Sequence, residues 1–230
     1  MESKIDATPA GRTADRRVRR SRAALMRAAV ALVIERDTTN IAVSEIADAA
    51  DVSRPLLYQH FHNRDTLLLE AAIDLAEREL LPLITQEPQL EAIVGHFAQH
   101  RRFYRAMLKS SRSYDLTNAF NGILGPFNQP LIDLMSASGL EPRVVADLTL
   151  FIAGGWATVI NTWLIEAPDP LDVPAFSQRL LDIFLAIAGA AAGIAPIETQ
   201  PSAAPDAPRA APAQNNISEE PVRAGFKGSQ

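Results

Sequence analysis

The segment Val43–Phe61 constrains the fold of this chain more than any other stretch of its sequence. Small and apolar residues recur there at helical spacing in two sets, separated by a turn: Ile46, Ala47 and Ala50, then Leu57 and Phe61. Ser53 stands between the sets as a candidate N-cap of the second helix. Two short helices around a tight turn are typical of a helix-turn-helix, whose second helix enters a major groove, and a generic helical hairpin is the alternative.

Charge is unevenly distributed along the chain. Ten arginines and six carboxylates fall between Arg12 and Arg64, so this segment carries +4 within a chain whose net charge is −5. Such asymmetry favours local contact with nucleic acid and argues against a protein that coats it. The arginine cluster at 16–22 would follow phosphates or reach a minor groove, with a solvated charged face as the alternative.

The compartment follows from features that the sequence lacks. It contains no cysteine, which excludes disulfides and Cys-ligated metal sites. No basic start leads into an apolar run, so we expect no secretory signal. The most apolar segment, Ile183–Ile197, is short for a membrane span and predicts a buried helix. We therefore expect a cytoplasmic protein without membrane contact.

The rest of the chain divides into four predicted regions. We expect a disordered arm at 1–13, a helix-turn-helix domain at 14–63, a helical body at 64–195 and a disordered, Pro- and Ala-rich tail at 196–230. Periodicity predicts a first helix from about Asp15 to Arg36 and a long fourth helix from Arg64 that Pro82 and Pro88 end or kink. The helices predicted for the body are Gln89–Ser110, Tyr114–Leu124, Phe127–Ser138, Pro142–Glu166 and Pro174–Ile194.

The predicted second helix of the pair has an unusual outer face. If Leu57 and Phe61 point to the core, six residues lie on or near the surface: Arg54, Pro55, Leu56, Tyr58, Gln59 and His60. An outward Tyr and His beside an Arg suit phosphate hydrogen bonds and contacts to base edges.

Residues from about Ala14 to Leu75 resemble the DNA-binding head of the TetR (tetracycline-repressor-like) family. The residues that carry the resemblance are Ile46, Ala47, Ala50, Val52, Ser53, Leu57, Tyr58 and Phe61, with the step from Phe61 to Arg64 and then Leu67. The resemblance implies an all-α fold, a three-helix helix-turn-helix head, and a helical body that binds an effector. It also implies a homodimer through the last two long helices.

This resemblance assigns the candidate DNA-binding residues. We expect Arg54, Leu56 and Gln59 to face bases and Ser44, Tyr58, His60 and Arg64 to hold phosphates, with Ser53 and Pro55 at the helix start. Three residues depart from the family pattern and bear on the operator sequence. Asp51 replaces a usual glycine in the turn, Leu56 a usual Thr or Ser, and Ala42 a usual capping Thr.

The body offers a candidate effector pocket but no catalytic arrangement. We expect Phe97, His100, Tyr104, Met107, Phe127 and Trp156 to line the pocket, although such aromatic sets are more often core. His96 and His100 share a helix face, yet no acidic residue lies at an obvious third-ligand spacing, so we predict no metal site. Glycine-rich phosphate loops and GxSxG motifs are absent from the sequence, and we expect neither a cofactor nor an enzyme.

The leading hypothesis is a regulator, most simply a repressor, that binds double-stranded DNA of two-fold symmetry as a homodimer. A small apolar or amphipathic effector of unknown identity would weaken that binding. An activator of the same fold is the first alternative. A helical enzyme or small-molecule carrier with an incidental basic head is the second.

Overall fold

The structure is a computed structural model that describes residues 9–85 and 89–193, with only the backbone described for residues 9–14 and 192. Within these ranges the regular secondary structure is helical and contains no strand, which confirms the all-α prediction. The described residues belong to one compact unit. The tail predicted at 196–230 and the first eight residues of the predicted arm lie outside the described residues.

The helices follow one another with short connections. Those of the head and its connection to the body are α1 (Pro9–Arg36), α2 (Val43–Ala49), α3 (Arg54–Phe61) and α4 (Arg64–Glu79). Those of the body are α5 (Leu81–Thr85), α6 (Leu90–Gln99), α7 (Arg101–Leu108), α8 (Ser113–Leu124), a 3-10 turn (Gly125–Asn128), α9 (Gln129–Ala137), α10 (Pro142–Glu166) and α11 (Val173–Ala192). Helix α1 thus begins inside the segment predicted to be an arm.

The head is built around apolar side chains that α1 to α4 bury together. Leu25 and Val33 of α1, Ile46 of α2 and Phe61 of α3 are all fully buried. Helix α4 adds Leu67, Leu68, Ala71 and Ala72, each at most 1% exposed. Because α2 and α3 are too short to bury a core by themselves, their positions depend on packing against α1 and α4.

Two predicted body helices are wrong in detail. The helix predicted at Gln89–Ser110 is two helices, α6 and α7, because His100 lies outside the helical region at φ −101° and ψ 19°. The helix predicted at Phe127–Ser138 begins as a 3-10 turn, and its regular part starts at Gln129. Apolar periodicity continues across both interruptions, which is why spacing alone joined the segments.

Arg101 fixes the start of α7 to the end of α10. Its side chain is buried, and Nε donates to the Leu164 carbonyl over 2.9 Å. The same guanidinium donates to the Ala167 carbonyl and pairs with Asp169 in the following loop. Carbonyls at a helix C-terminus have no partner within the helix, so a cation there satisfies them and interacts favourably with the helix dipole.

Arg22 holds the head together in a similar way. Its Nη1 donates to the His60 carbonyl over 3.0 Å, and its Nη2 pairs with Glu70 of α4. The guanidinium carbon also lies 4.4 Å from the centre of the Phe61 ring. One side chain of α1 therefore contacts both α3 and α4.

We expect Arg22→Ala to lower the free energy of unfolding by about 1–2 kcal/mol, because a hydrogen bond, an ion pair and a cation–π contact are lost together. Arg19→Ala is the matched control. Among the residues that the structure describes, Arg19 pairs only with Asp15. The two side chains are 72% and 62% exposed, and such a pair contributes about 0.5 kcal/mol or less. Urea unfolding followed by circular dichroism measures both variants, and equal losses would contradict the role given to Arg22.

Candidate nucleic-acid interface and interior cavity

Helix α3 presents a polar surface because its apolar side chains face the core. Leu57 and Phe61 are fully buried, whereas Arg54, Pro55 and Gln59 are exposed and Tyr58 is 50% exposed. Pro55 lies in the first turn of α3, where its missing N–H leaves no intrahelical hydrogen bond unmade. Leu56 is half-buried at the edge of this surface. The sequence therefore predicted which side of α3 faces outward.

The turn between α2 and α3 contains one of the residues that depart from the family pattern, Asp51. Asp51 has a φ of 52°, the left-handed region that glycine adopts most easily and Asp tolerates. The turn closes through hydrogen bonds such as Val52 N–H to the Ala47 carbonyl, 2.9 Å. Ser53 and Ala42 occupy the N-cap positions with extended backbones, and neither forms a side-chain cap hydrogen bond. The Ser53 hydroxyl is exposed.

His60 is not placed as a free phosphate donor. Its Nε2 lies 2.9 Å from Ser21 Oγ of α1, and the side chain is half-buried. Burial, and then the charge of Arg22, lower the pKa of His60 below its ordinary value. A neutral imidazole that already has a hydrogen-bond partner is better suited to holding α3 on α1 than to binding a phosphate.

Arg64 also has partners within the chain. Its Nε donates to Asp65 Oδ1 and its Nη1 to Asn40 Oδ1, each over 3.0 Å. Through Asn40 it ties the start of α4 to the loop that precedes α2. Ser44, in the first turn of α2, is half-buried. Of the four predicted phosphate residues, Tyr58 is thus the one with a largely exposed side chain.

A cavity of about 340 Å³ lies inside the body. It is lined by side chains of α6, α8, the 3-10 turn, α10 and α11, among them Phe97, Phe120, Phe127, Trp156 and Trp163. Among the described residues, no side chain that lines it is charged. The few polar ones include Asn121 and the pair Asn161 and Thr117, whose side chains lie 3.3 Å apart. An apolar cavity with a few polar groups is typical of small-molecule sites.

Three of the six predicted effector residues line this cavity and three do not. Phe97, Phe127 and Trp156 are at its wall, whereas Tyr104 and Met107 are fully buried behind it and His100 pairs with Glu79. The break at His100 explains the error, because it separates α7 from α6 and sends Tyr104 behind the aromatic wall. The Tyr104 ring centre is 5.6 Å from that of Phe97 and 5.2 Å from that of Phe120.

Sequence reasoning missed much of the lining of the cavity. Residues of α8 and of α10 contribute to it, including Thr117, Asn121, Ala157, Ile160 and Asn161. On α10 they recur at helical spacing with Trp156, so one face of that helix could have been recognised as a wall. Which helix faces that wall depends on tertiary packing, and the sequence does not give it.

The outer faces of α10 and α11 expose large apolar side chains. Phe151 is 78%, Leu150 73% and Leu185 58% exposed. By length and composition alone both helices could cross a membrane, with mean hydropathies of 1.5 and 1.3. On their inner sides, α10 packs against α8 and α11 packs against α6. The two helices also contact each other, since Trp163 of α10 stacks on Phe176 of α11 with ring centres 4.0 Å apart. Exposed apolar faces of this size are typical of interfaces between proteins.

We expect Asn121→Trp to weaken the binding of a neutral apolar fluorophore, N-phenyl-1-naphthylamine, by about tenfold or more, because the indole would occupy space that an apolar ligand needs. Asn118→Trp is the matched control, since Asn118 lies one turn earlier on α8 and is exposed. Fluorescence titration measures both affinities. Equal affinities would show that the fluorophore binds elsewhere.

Comparison with known proteins extends these observations. Residues 25–71, from the middle of α1 into α4, match the model of the family described as bacterial regulatory proteins, tetR family. No curated protein matches the chain in sequence.

Two solved structures are similar in fold. The TetR family repressor AlkX from Dietzia sp. strain DQ12-45-1b is 22% identical, with 74% of this chain and 95% of that chain covered and a TM-score of 0.50. A tetR-family transcriptional regulator from Streptomyces coelicolor is 21% identical, with 75% and 82% covered and a TM-score of 0.51. The head of this chain is thus similar to the tetR family of bacterial regulatory proteins, and the described fold is similar to those of two TetR-family proteins.

Proposed function

We propose that this protein is a ligand-responsive repressor that binds a two-fold operator as a homodimer and is released by a small apolar or amphipathic effector. The observation that carries the proposal is the surface of α3, where Arg54, Tyr58 and Gln59 are exposed above the buried Leu57 and Phe61. A short helix held rigidly by its apolar side, with polar side chains outward, is suited to a major groove.

Within that surface we assign different tasks to different side chains. Arg54 and Gln59 read base edges, and Leu56 lies against a thymine methyl group. Tyr58 and Ser44 hydrogen-bond phosphates, which fixes register without reading sequence. His60 and Arg64 support the surface instead, because their side chains are bonded to Ser21, Asp65 and Asn40.

The sign of regulation is taken from one structural neighbour, AlkX, which is described as a repressor implicated in the biodegradation of n-alkanes. An apolar cavity is in keeping with an apolar effector. A reporter fused to a bound promoter separates repression from activation. Output that rises when the gene is deleted supports the repressor.

Two routes of contact connect the cavity with the head. Helix α6 contributes Phe97 to the cavity, and α7, which follows it, pairs Arg105 with Asp37 at the end of α1 over 2.8 Å. Helix α8 contributes Phe120 to the cavity and packs against α4, which shares the core of the head. An effector that moves α6 or α8 would therefore change the position of the head, and the spacing of the two heads in a dimer.

The exposed apolar faces of α10 and α11 supply the dimer interface in this proposal. Gly154, Gly155 and Gly189 have no heavy atom among the described residues within 4 Å of where a Cβ would lie, so a partner helix can approach them closely. A second copy would cover Phe151 and Leu185, and a two-fold dimer matches a two-fold operator.

Selection of bound duplexes from a random pool provides the operator, and Arg54→Ala then tests how α3 reads it. We expect this variant to lose about 1–3 kcal/mol of binding free energy on the operator and much less on a random duplex. Arg27→Ala removes the same charge from an exposed position on α1 and should weaken both duplexes to a similar extent. Equal losses on both duplexes for Arg54→Ala would contradict base reading by Arg54.

Phe151→Glu tests the dimer. We expect it to shift the protein towards a monomer and to weaken operator binding by about tenfold or more, because a carboxylate would be buried without a partner at the interface. Tyr114→Glu is the matched control, since Tyr114 is 74% exposed on α8, away from that face. Sedimentation equilibrium measures the mass of both variants, and a dimer that survives Phe151→Glu would contradict the assigned interface.

A further inference from the structure

Three side chains from distant parts of the sequence meet where α4 ends. Glu79 is the last residue of α4, His96 lies in α6, and His100 separates α6 from α7. Glu79 Oε2 is 2.7 Å from His100 Nε2 and 3.6 Å from His96 Nδ1. One ligand atom from each residue lies within 4.8 Å of the other two. None of the three lines the effector cavity.

The surroundings leave His96 Nδ1 without a hydrogen bond to the carboxylate it faces. Its other nitrogen, Nε2, lies 2.8 Å from the hydroxyl of Tyr104, and the side chain is only 3% exposed. At 3.6 Å the separation from Glu79 is too long for a hydrogen bond. A buried imidazole is thus oriented by one nitrogen while the other faces a carboxylate and a second imidazole.

Burial and neighbouring charges shift the pKa values of His96 and Glu79. Burial, and then the charge of His100, lower the pKa of His96 to about 4, against the opposing effect of Glu79. Burial raises the pKa of Glu79, but the hydrogen bond and charge of His100, with His96 and Arg78, outweigh it and bring the pKa below its ordinary value.

We propose that Glu79, His96 and His100 bind one divalent transition-metal ion, with Zn²⁺ the best match to two imidazoles and one carboxylate. Such N₂O sets hold Zn²⁺ in proteins at about 2.0–2.2 Å per ligand, and they leave a fourth position for water. Glu79 is 39% and His100 13% exposed at the side chain, so the ion reaches the site from solvent. Tyr104 orients His96, as an outer partner of a metal-bound histidine does.

Metal binding requires a small rearrangement. Tetrahedral ligands at these bond lengths are about 3.4 Å apart. The hydrogen bond between His100 and Glu79 therefore opens, while the imidazoles approach one another. The ion would join the end of α4 to the junction of α6 and α7. This proposal does not depend on the effector or on DNA binding.

Metal titration of the full chain without an affinity tag tests the site. We expect one Zn²⁺ per chain by equilibrium dialysis, a visible absorption from Co²⁺ of low coordination number, and a rise in Tm with Zn²⁺ concentration. Glu79→Gln and His100→Gln should each weaken Zn²⁺ binding by about tenfold or more and remove the Co²⁺ absorption. Tyr104→Phe should weaken binding by about tenfold, because it removes only the outer partner of His96.

Two control variants separate this site from surface binding. Glu77→Gln changes an exposed carboxylate two residues before Glu79, and His62→Asn changes an exposed histidine at a φ of 60°, which Asn tolerates. Both should bind Zn²⁺ as the wild type does. Circular dichroism of each metal-free variant identifies any that fails to fold. The variants that do fold then show whether Glu79 and His100 bind the ion. Absence of stoichiometric binding, or loss with His62→Asn but not with folded Glu79→Gln or His100→Gln, would overturn the proposal.

Discussion

The packing of α4 is the constraint on which the rest of the structure depends. Its apolar side chains complete the core of the head, and the same helix packs against α8 of the body. The short helices α2 and α3 would be marginal in water alone, so their orientation comes from α1 and α4. The exposed face of α3 and the body are consequently joined through one continuous core. Packed interiors have few voids to absorb strain, so a displacement at one end of α4 is transmitted to side chains at its other end.

Three arginine side chains connect specific helices within this packing. Arg22 links α1 with α3 and α4, Arg105 links the end of α1 with α7, and Arg101 links α7 with the end of α10. Each of these arginines bonds at a turn or a helix end, or to a carboxylate on another helix. In the helical part of the chain that the structure describes, such contacts fix how helices meet end to end, whereas apolar side chains determine which faces meet. The helices can be predicted from short stretches of sequence. The partners of these three arginines cannot, because they lie far away in the chain.

The break at His100 had the largest consequence for the sites. A continuous helix through this region would keep His100, Tyr104 and Met107 in line with Phe97, on one side of the predicted pocket. The break instead places Tyr104 against Phe97 and Phe120. His96 and His100 remain one helical turn apart and meet Glu79 of α4. This local departure explains why Tyr104 does not line the cavity, whereas the cluster depends on a contact between α4 and α6. Glu79 lies 17 positions before His96, and no helical period relates them.

The sequence by itself determined the all-helical fold, the helix-turn-helix head and the outward face of α3. These follow from short-range patterns, since apolar spacing decides which side of a helix is buried and turn residues decide where it ends. Tertiary structure alone decided that His60 and Arg64 are bonded within the head, which residues of α8 and α10 enclose the cavity, and that Glu79 meets the two histidines. Each of these depends on contacts between residues far apart in the chain. Many such pairings are possible for one sequence, and local spacing does not show which of them forms.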